Sequence, residues 1–218
     1  GTRLLAGGAV GGTAGATAGN GSTINQTLST TGTTQGTTFY TITPTLGTCV
    51  GSSITAMVSV NPVPVVTATP SVDALCSGST TNVLLSSLPG TTFDWTVSQT
   101  GVSGASGGTG SSIAQTLTTL GQAVGTVTYT VTPTLNGCVG TPVDVVITVN
   151  PIPTAIATPT AQTICSGDVT GISLSSTPAG ATFDWTVNQT GTTGAAAGTG
   201  NLIAQTIDAT STNSGSVT

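Results

Sequence analysis

The sequence contains no histidine, no lysine and no glutamate, and only 3% of its 218 residues are charged. An average soluble protein has roughly 25% charged residues. Arg3 is the single positive side chain, and six aspartates bring the net charge to -5. Without histidine, the Ser-His-Asp and Cys-His mechanisms lack their general base. We therefore predict that the chain is not an enzyme and has no catalytic residue.

The scarcity of charge also argues against several kinds of ligand. One arginine cannot create the positive field that attracts nucleic acid, so no nucleic-acid partner is expected. No two aspartates lie within four residues of each other, so the sequence predicts no metal and no cofactor. Asp94 and Asp184 are interpreted as solvated strand residues. No apolar stretch reaches 18 residues, so no membrane insertion is expected in this segment.

What the chain does have is an internal repeat of about 89 residues. Pro62 and Cys76 recur 89 positions later as Pro151 and Cys165, and Trp95 recurs after 90 as Trp185. Repetition at a fixed spacing indicates that each repeat is one structural unit. The repeat predicts three domains: 1–61, the C-terminal part of one unit, 62–150, a complete unit, and 151–218, the N-terminal part of a third.

Alternation of apolar and polar residues predicts strands throughout the complete unit. Phe93, Trp95 and Val97 alternate with polar residues, and β-branched residues dominate each apolar run. Glycine, proline and asparagine separate the runs and predict turns. The sequence predicts an all-β immunoglobulin-like β-sandwich with strands near 63–70, 73–76, 81–88, 92–98, 111–118, 124–133 and 142–150.

Four aromatic residues are predicted to fill the cores of these sandwiches. Trp95 and Trp185 lie on the third main strand, where one large side chain fills the space between two sheets. A carbohydrate-stacking role for the tryptophans is the alternative. Tyr40 and Tyr129 head a strand at the position where sandwiches often have a corner tyrosine.

The linkers between units are short and rich in proline. Asn61-Pro62-Val63-Pro64 recurs as Asn150-Pro151-Ile152-Pro153. Two prolines separated by one residue restrict φ and favour an extended connection without a flexible hinge. We expect the domains to be arranged end to end as an extended rod.

Several of these segments resemble a known family. The stretches "YTVTPTLNGCVGTPVDVVITVNPIPTAIATPTAQTICSGDVTGISLSS" and "TFDWTV" are similar to the PKD-like, immunoglobulin-type tandem repeats of large surface proteins in Bacteroidetes. The features shared are LCSG or ICSG before the second main strand, the tryptophan strand, NGC at the last hairpin and the NP-x-P linkers. The W-x-F-G-D-G stretch of PKD domains is absent, and GTRLLAGGAV does not match the strand expected there.

This resemblance implies extracellular stalks or adhesins, exported by the type IX route. Two functions from different classes follow. The first is a structural repeat of an extracellular filament or cell-surface stalk, without catalysis, assembling head to tail. The second is an adhesin that binds glycans or a host surface through its loops. The loops 101–117 and 191–207 are nearly alike in sequence, which favours a structural spacer over a module whose loops bind varied ligands.

Four cysteines without histidine indicate disulfides in an oxidising, extracellular place. The candidates are Cys49 and Cys138 at last hairpins, and Cys76 and Cys165 before second main strands. Repeat logic first suggests a Cys76–Cys138 bond inside the complete unit. Because these two positions usually lie at opposite ends of a sandwich, bonds between successive domains are slightly preferred.

The partners expected are copies of the chain itself or adjacent repeats of one longer chain. In a tandem array, the incomplete units are completed by neighbouring sequence. In a polymer of 218-residue subunits, a unit would borrow strands from the next copy. The first and third units overlap by roughly three dozen residues, more than a dedicated donor strand needs, so the array is preferred.

Overall fold

The protein is described by a computed structural model that covers the backbone of residues 3–10 and the whole of residues 12–218. Strands, turns and loops make up these residues, and no helix occurs among them. The prediction of an all-β fold is confirmed. The physical reason is the period of two in the apolar pattern, which places alternate side chains on the two faces of a strand.

Strand pairing stays within each of three successive segments, called here the first, second and third units (residues 3–61, 62–150 and 151–218). The second unit contains eleven strands: β8 (Thr67–Thr69), β9 (Val72–Cys76), β10 (Val83–Ser86), β11 (Thr92–Thr100), β12 (Val102–Ser103), β13 (Gly108–Thr109), β14 (Ser112–Ile113), β15 (Thr118–Thr119), β16 (Gly125–Leu135), β17 (Cys138–Val139) and β18 (Val143–Asn150).

The second unit is a sandwich of two sheets. One sheet has the order β14-β10-β8, and the other has the order β13-β11-β16-β18-β9, with β17 paired to β16. β8 and β9 together form the first strand of the sandwich, which is divided between the two sheets. β8 pairs antiparallel with β10, whereas β9 pairs parallel with β18. Division of the first strand between two sheets is a feature of immunoglobulin-like sandwiches, and the sheet order agrees with that fold.

The core of the second unit lies between these sheets. Its largest fully buried hydrophobic side chains occupy inward positions of the strands, except Leu117, which lies between β14 and β15: Val83, Ile113, Leu117, Val127, Tyr129, Val131, Val145, Ile147 and Val149. The residues between these inward positions point outward. Along β16, for example, the intervening threonines are partly exposed or exposed. Burial of each such valine, leucine or isoleucine contributes roughly 1.5–3 kcal/mol of transfer free energy, so this cluster stabilises the unit without charged pairs.

Two predicted strands differ from those observed. The first begins at Thr67 rather than near residue 63, because Pro62 and Pro64 have no N–H to donate to a sheet. The strand predicted at 111–118 is broken into β14 and β15. Between them the backbone N–H of Gln115 donates to Thr81 Oγ1 over 2.9 Å instead of joining a ladder.

The first unit contains β1 (Arg3–Val10), β2 (Thr13–Ala14), β3 (Ser29–Thr30), β4 (Gly36–Thr43), β5 (Thr45–Leu46), β6 (Cys49–Val50) and β7 (Ile54–Val60). Its main sheet has the order β1-β4-β7, which corresponds to β11-β16-β18 of the second unit. Residues 3–10 do not match the repeat in sequence, yet their backbone forms the strand of that position. Residues 1, 2 and 11 lie outside the described residues.

The third unit contains β19 (Thr154–Thr158), β20 (Asp168–Val169), β21 (Ile172–Thr177), β22 (Asp184–Trp185), β23 (Gln189–Thr190), β24 (Thr192–Thr193), β25 (Gly198–Thr199), β26 (Leu202–Ile203), β27 (Thr206–Ala209) and β28 (Ser216–Val217). The nine-residue β11 is replaced here by two strands of two residues each, β22 and β23. In the second unit β11 is paired along its whole length with β16, whereas here only β28 provides that pairing.

Candidate functional site at the joints between units

A glutamine side chain organises the loop that carries the glycine-rich stretch of the second unit. Gln115 Oε1 accepts the backbone N–H of Ser106 over 2.9 Å, and Gln115 Nε2 donates to the Ser106 carbonyl over 2.8 Å. The amide therefore pairs with Ser106 as a neighbouring strand would. Tyr129 Oη donates to the same Oε1 over 2.9 Å, and Trp95 Nε1 donates to the Ser106 carbonyl over 3.2 Å. We call this arrangement the glutamine clamp.

The glutamine–backbone pairing of this clamp occurs in all three units, with the tyrosine contact in the first two and the tryptophan contact in the last two. In the first, Gln26 brackets the backbone of Thr17 at 3.1 and 2.7 Å, and Tyr40 Oη donates to Gln26 Oε1 over 2.9 Å. In the third, Gln205 brackets the backbone of Ala196 at 3.0 and 2.7 Å. The residue that is held can be serine, threonine or alanine, because the only contacts that all three glutamines share are with backbone atoms. The clamp is therefore a device of the fold rather than a ligand site.

The two tryptophans differ in burial although their polar contacts are the same. Trp185 Nε1 donates to the Ala196 carbonyl over 3.2 Å, as Trp95 does to Ser106. Trp95 is 8% exposed, whereas Trp185 is half-buried. A Cβ added to Gly108 would lie 2.8 Å from Trp95 Cζ2, so this glycine makes room for the indole. A Cβ added to Gly198 would lie 2.7 Å from Trp185 Cζ2 in the same way, so the difference in burial comes from the strands that cover the ring.

The tyrosines of the clamp lie in the core. Tyr129 is completely buried, and Tyr40 is 3% exposed. Desolvation by burial raises the pKa of Tyr129 from 10.0 to about 12. The hydroxyl donates to Gln115 rather than to backbone, which differs from the usual corner tyrosine. The clamp is not among the sequence predictions; its signal is the glutamine that recurs at 26, 115 and 205 within an Ile-x-Gln-Thr motif.

The contact between the first and second units, called here the first joint, has its own polar network. Asn61 ends the first unit; its Nδ2 donates over 3.3 Å to the carbonyl of Asn136 in the last hairpin of the second unit. Gln35 Nε2 in turn donates to Asn61 Oδ1 over 2.7 Å. Asn61 is therefore held by one bond on each side of the joint.

The linker of the first joint packs against the same hairpin region. Pro62 and Pro64 are buried. The Gly140 N–H donates to the Pro133 carbonyl over 2.8 Å, and a Cβ added to Gly140 would overlap the Pro64 carbonyl. At the second linker, Pro153 is exposed, and no described residue of the third unit occupies the position that the Asn136 hairpin has at the first linker. Burial of the linker thus depends on the last hairpin of the following unit.

The four cysteines lie at the ends of the units and are unbonded in the structure. Cys76 is in register with Asn150 at the C-terminal end of the second unit. Cys138 pairs with Leu135 at the opposite end of β16. Because Gly125 is in register with Val149, the two ends are ten residues apart along β16, or about 33 Å. A Cys76–Cys138 bond would require Cα atoms within roughly 7 Å and is excluded.

The third unit exposes side chains whose counterparts are buried in the second. Phe183, Ile172 and Leu174 are half-buried, whereas Phe93 and Leu85 are nearly covered and Val83 is fully covered. In the second unit, residues of β16 and β18 pack against these counterparts. The segment 161–165, equivalent to β9, is a loop here, because β9 depends on β18 for its pairing.

Asp94 and Asp184 are both exposed, at the same place on the tryptophan strand. No cluster of three or more histidine, cysteine, aspartate or glutamate residues occurs in the described part of the chain. Within it, no helix has the length and apolar character required to cross a membrane. The repeated features of the molecule are therefore the clamp within each unit and the joint between units.

The repeat also identifies the family. The family model for the PKD-like domain matches residues 8–64 and 73–153, more than half of the chain. The chain belongs to the PKD-like domain family. The two matches end 89 residues apart, at Pro64 and Pro153, so each match ends in the proline linker after one unit. No curated protein matches the chain. PKD-like domains are typically extracellular, non-catalytic modules with structural or adhesive roles.

Proposed function

We propose that this PKD-like chain is a structural repeat segment of an extracellular filament or cell-surface stalk, in which units join head to tail. The observation that carries the proposal is the first joint. Two buried prolines and the Asn61–Asn136 hydrogen bond hold one sandwich to the next, so the linker has little freedom to bend. A stalk needs this property, because a spacer with flexible joints would collapse.

The surface supports assembly with identical units. The net charge is -5 over 218 residues, so copies repel each other weakly. Edge strands of soluble proteins usually carry lysine or other charges that prevent pairing with another chain, and this sequence has no lysine. The open side of the third unit requires two further strands, and we propose that equivalents of β16 and β18 supply them. Their source is adjacent sequence in a tandem array or a second copy of the chain.

An adhesin remains the alternative, and the glutamine clamp argues against it. The loops 101–110 and 191–200 have the same paired segments, and each is held by a clamp glutamine on its backbone. Loops that read different ligands vary in conformation from one unit to the next, whereas these two are held alike. We therefore propose the structural role for the chain.

Small-angle X-ray scattering of the 218-residue chain tests the proposal. A compact protein of this size has a radius of gyration of about 17 Å. A rod of two and a half units, each about 35 Å long, has about 25 Å. The structural proposal predicts the larger value, and a radius near 17 Å would contradict it. Asn61→Ala should broaden the distance distribution by loosening the first joint, whereas the exposed Asn82→Ala should leave it unchanged.

A further inference from the structure

The position of each cysteine relative to the joints leads to a specific pairing. Cys76 is followed by a Ser-Gly turn that is docked on its own unit: Thr119 N–H donates to Ser77 Oγ over 3.0 Å, and Gly78 N–H donates to the Leu117 carbonyl over 2.7 Å. The turn also bonds to the end of the unit, since Ser77 N–H donates to the Asn150 carbonyl over 2.7 Å. Cys76 is thus fixed beside the last residue before the linker.

The third unit has the same turn in the same place. Ala209 N–H donates to Ser166 Oγ over 2.9 Å, and Gly167 N–H donates to the Ile207 carbonyl over 2.8 Å. This docking persists although the rest of the third unit lacks its covering strands. The Cys-Ser-Gly turn is therefore a repeated feature that places a cysteine at the C-terminal end of each unit in which it occurs.

The first joint contains an open cleft in which such a turn would fit. The residues that hold the turn in the second unit, Leu117 and Thr119, correspond to Leu28 and Thr30 of the first unit. These two residues line an open cleft of about 690 Å³ at the joint, together with Asn61. A Cys-Ser-Gly turn docked there as in the other units would fill part of this cleft and place its cysteine opposite Asn61, as Cys76 lies opposite Asn150.

Across the joint, the hairpin cysteine of the next unit is close to the same point. Asn61 Nδ2 lies 3.3 Å from the carbonyl oxygen of Asn136, and Cys138 follows two residues later. Cys138 is half-buried, and Cys49, Cys76 and Cys165 are exposed, so all four thiols are open to an oxidant. Each joint of this chain contains one cysteine of such a pair: Cys138 at the first, Cys76 at the second.

We propose that a disulfide joins the Cys-Ser-Gly turn of each unit to the last-hairpin cysteine of the following unit. Two S–H bonds break and one S–S bond forms, with release of two protons. These two protons and the two electrons convert an external disulfide oxidant, such as oxidised glutathione, into two thiols. The pairing does not depend on the filament role, since it follows from the ends of the sandwich. It would link every joint covalently.

The test completes the second joint. The chain is extended after Thr218, the equivalent of Thr128, with a copy of residues 129–150 carrying Thr141→Ser as a mass label. The extended chain is oxidised in a glutathione buffer, its free thiols are alkylated, and it is digested with pepsin for mass spectrometry. We expect Cys76 linked to the labelled hairpin cysteine, and Cys49, Cys138 and Cys165 alkylated. Alkylated Cys76, or Cys76 linked to any other cysteine, overturns the proposal.

Two variants and a second extended chain serve as controls for misfolding of the first extended chain. Cys76→Ser should leave the labelled cysteine alkylated, and Cys138→Ser should leave the bond to Cys76 intact. Placing a copy of residues 62–91 before Gly1 completes the first joint, because Ala6 pairs with Tyr40 as Val97 pairs with Tyr129. The added cysteine should then bond to Cys138. A mixture of pairings in both extended chains, as a misfolded protein would give, also counts against the proposal.

Discussion

The buried Tyr129 donates its phenol hydrogen to Oε1 of the partly exposed Gln115 over 2.9 Å, while the same amide holds the backbone of Ser106. The pair joins the centre of β16 to a loop more than twenty residues away in sequence. Equivalent pairing of Tyr40 with Gln26 in the first unit shows that the link belongs to the repeat. It connects core packing to the shape of the glycine-rich loop.

Removing this amide should cost more than removing the phenol. Gln115→Ala leaves the buried Tyr129 hydroxyl without its acceptor and frees the Ser106 backbone, and we expect a loss of about 2–3 kcal/mol in unfolding free energy. Tyr129→Phe removes one hydrogen bond and should cost about 1 kcal/mol. Chemical denaturation followed by Trp95 fluorescence, in a Trp185→Phe background, measures both.

The exposed Gln122→Ala is the matched control and should change stability by less than about 0.5 kcal/mol. The double variant Gln115→Ala with Tyr129→Phe should lose less unfolding free energy than the sum of the two single losses, because both changes act on one hydrogen-bond network. Equal losses for Gln115→Ala and Gln122→Ala would show that the clamp does not stabilise the second unit.

Alkaline pH should destabilise the second unit through Tyr129. The folded pKa of about 12 lies above the ordinary 10.0, so the unfolded state loses its proton first as pH rises. The stabilising contribution is therefore complete below pH 10 and is lost between pH 10 and 12. Denaturation midpoints measured from pH 8 upward should fall in that window, and Tyr129→Phe should flatten the fall. An identical fall in that variant would assign the effect to another group.

The fold was predictable from the sequence because its signals are local. Alternation at Phe93, Trp95 and Val97 indicates a strand whatever the partner. The linker prolines indicated a stiff joint, but not the bond from Asn61 to Asn136, which joins residues 75 positions apart. The contacts of the clamp could not be predicted for the same reason, because a glutamine in a threonine-rich loop has no local feature that indicates a backbone partner nine residues before it.

Substituting Gly140 should disturb the first joint. An added Cβ would overlap the Pro64 carbonyl and lie 2.8 Å from Pro133 Cγ, so hairpin and linker would have to move apart. We expect Gly140→Ala to lower the unfolding free energy of the second unit by about 1–3 kcal/mol, as overpacking usually does. Gly121→Ala, where nothing lies within 4 Å of the added Cβ, is the control. Similar stability of the two variants would mean that the linker is not packed on the hairpin.

Completing the third unit should bury Trp185. Its indole keeps the hydrogen bond to Ala196, yet it is half-buried because the strands equivalent to β16 and β18 do not cover it. In a Trp95→Phe background, the chain extended with a copy of residues 129–150 should show blue-shifted emission and weaker acrylamide quenching than the original chain. If Trp95→Phe unfolds the second unit, the same comparison is made with both tryptophans present. Unchanged emission and quenching would mean that the added strands do not pair with the tryptophan strand, and that the open side of the third unit is not where the next strands bind.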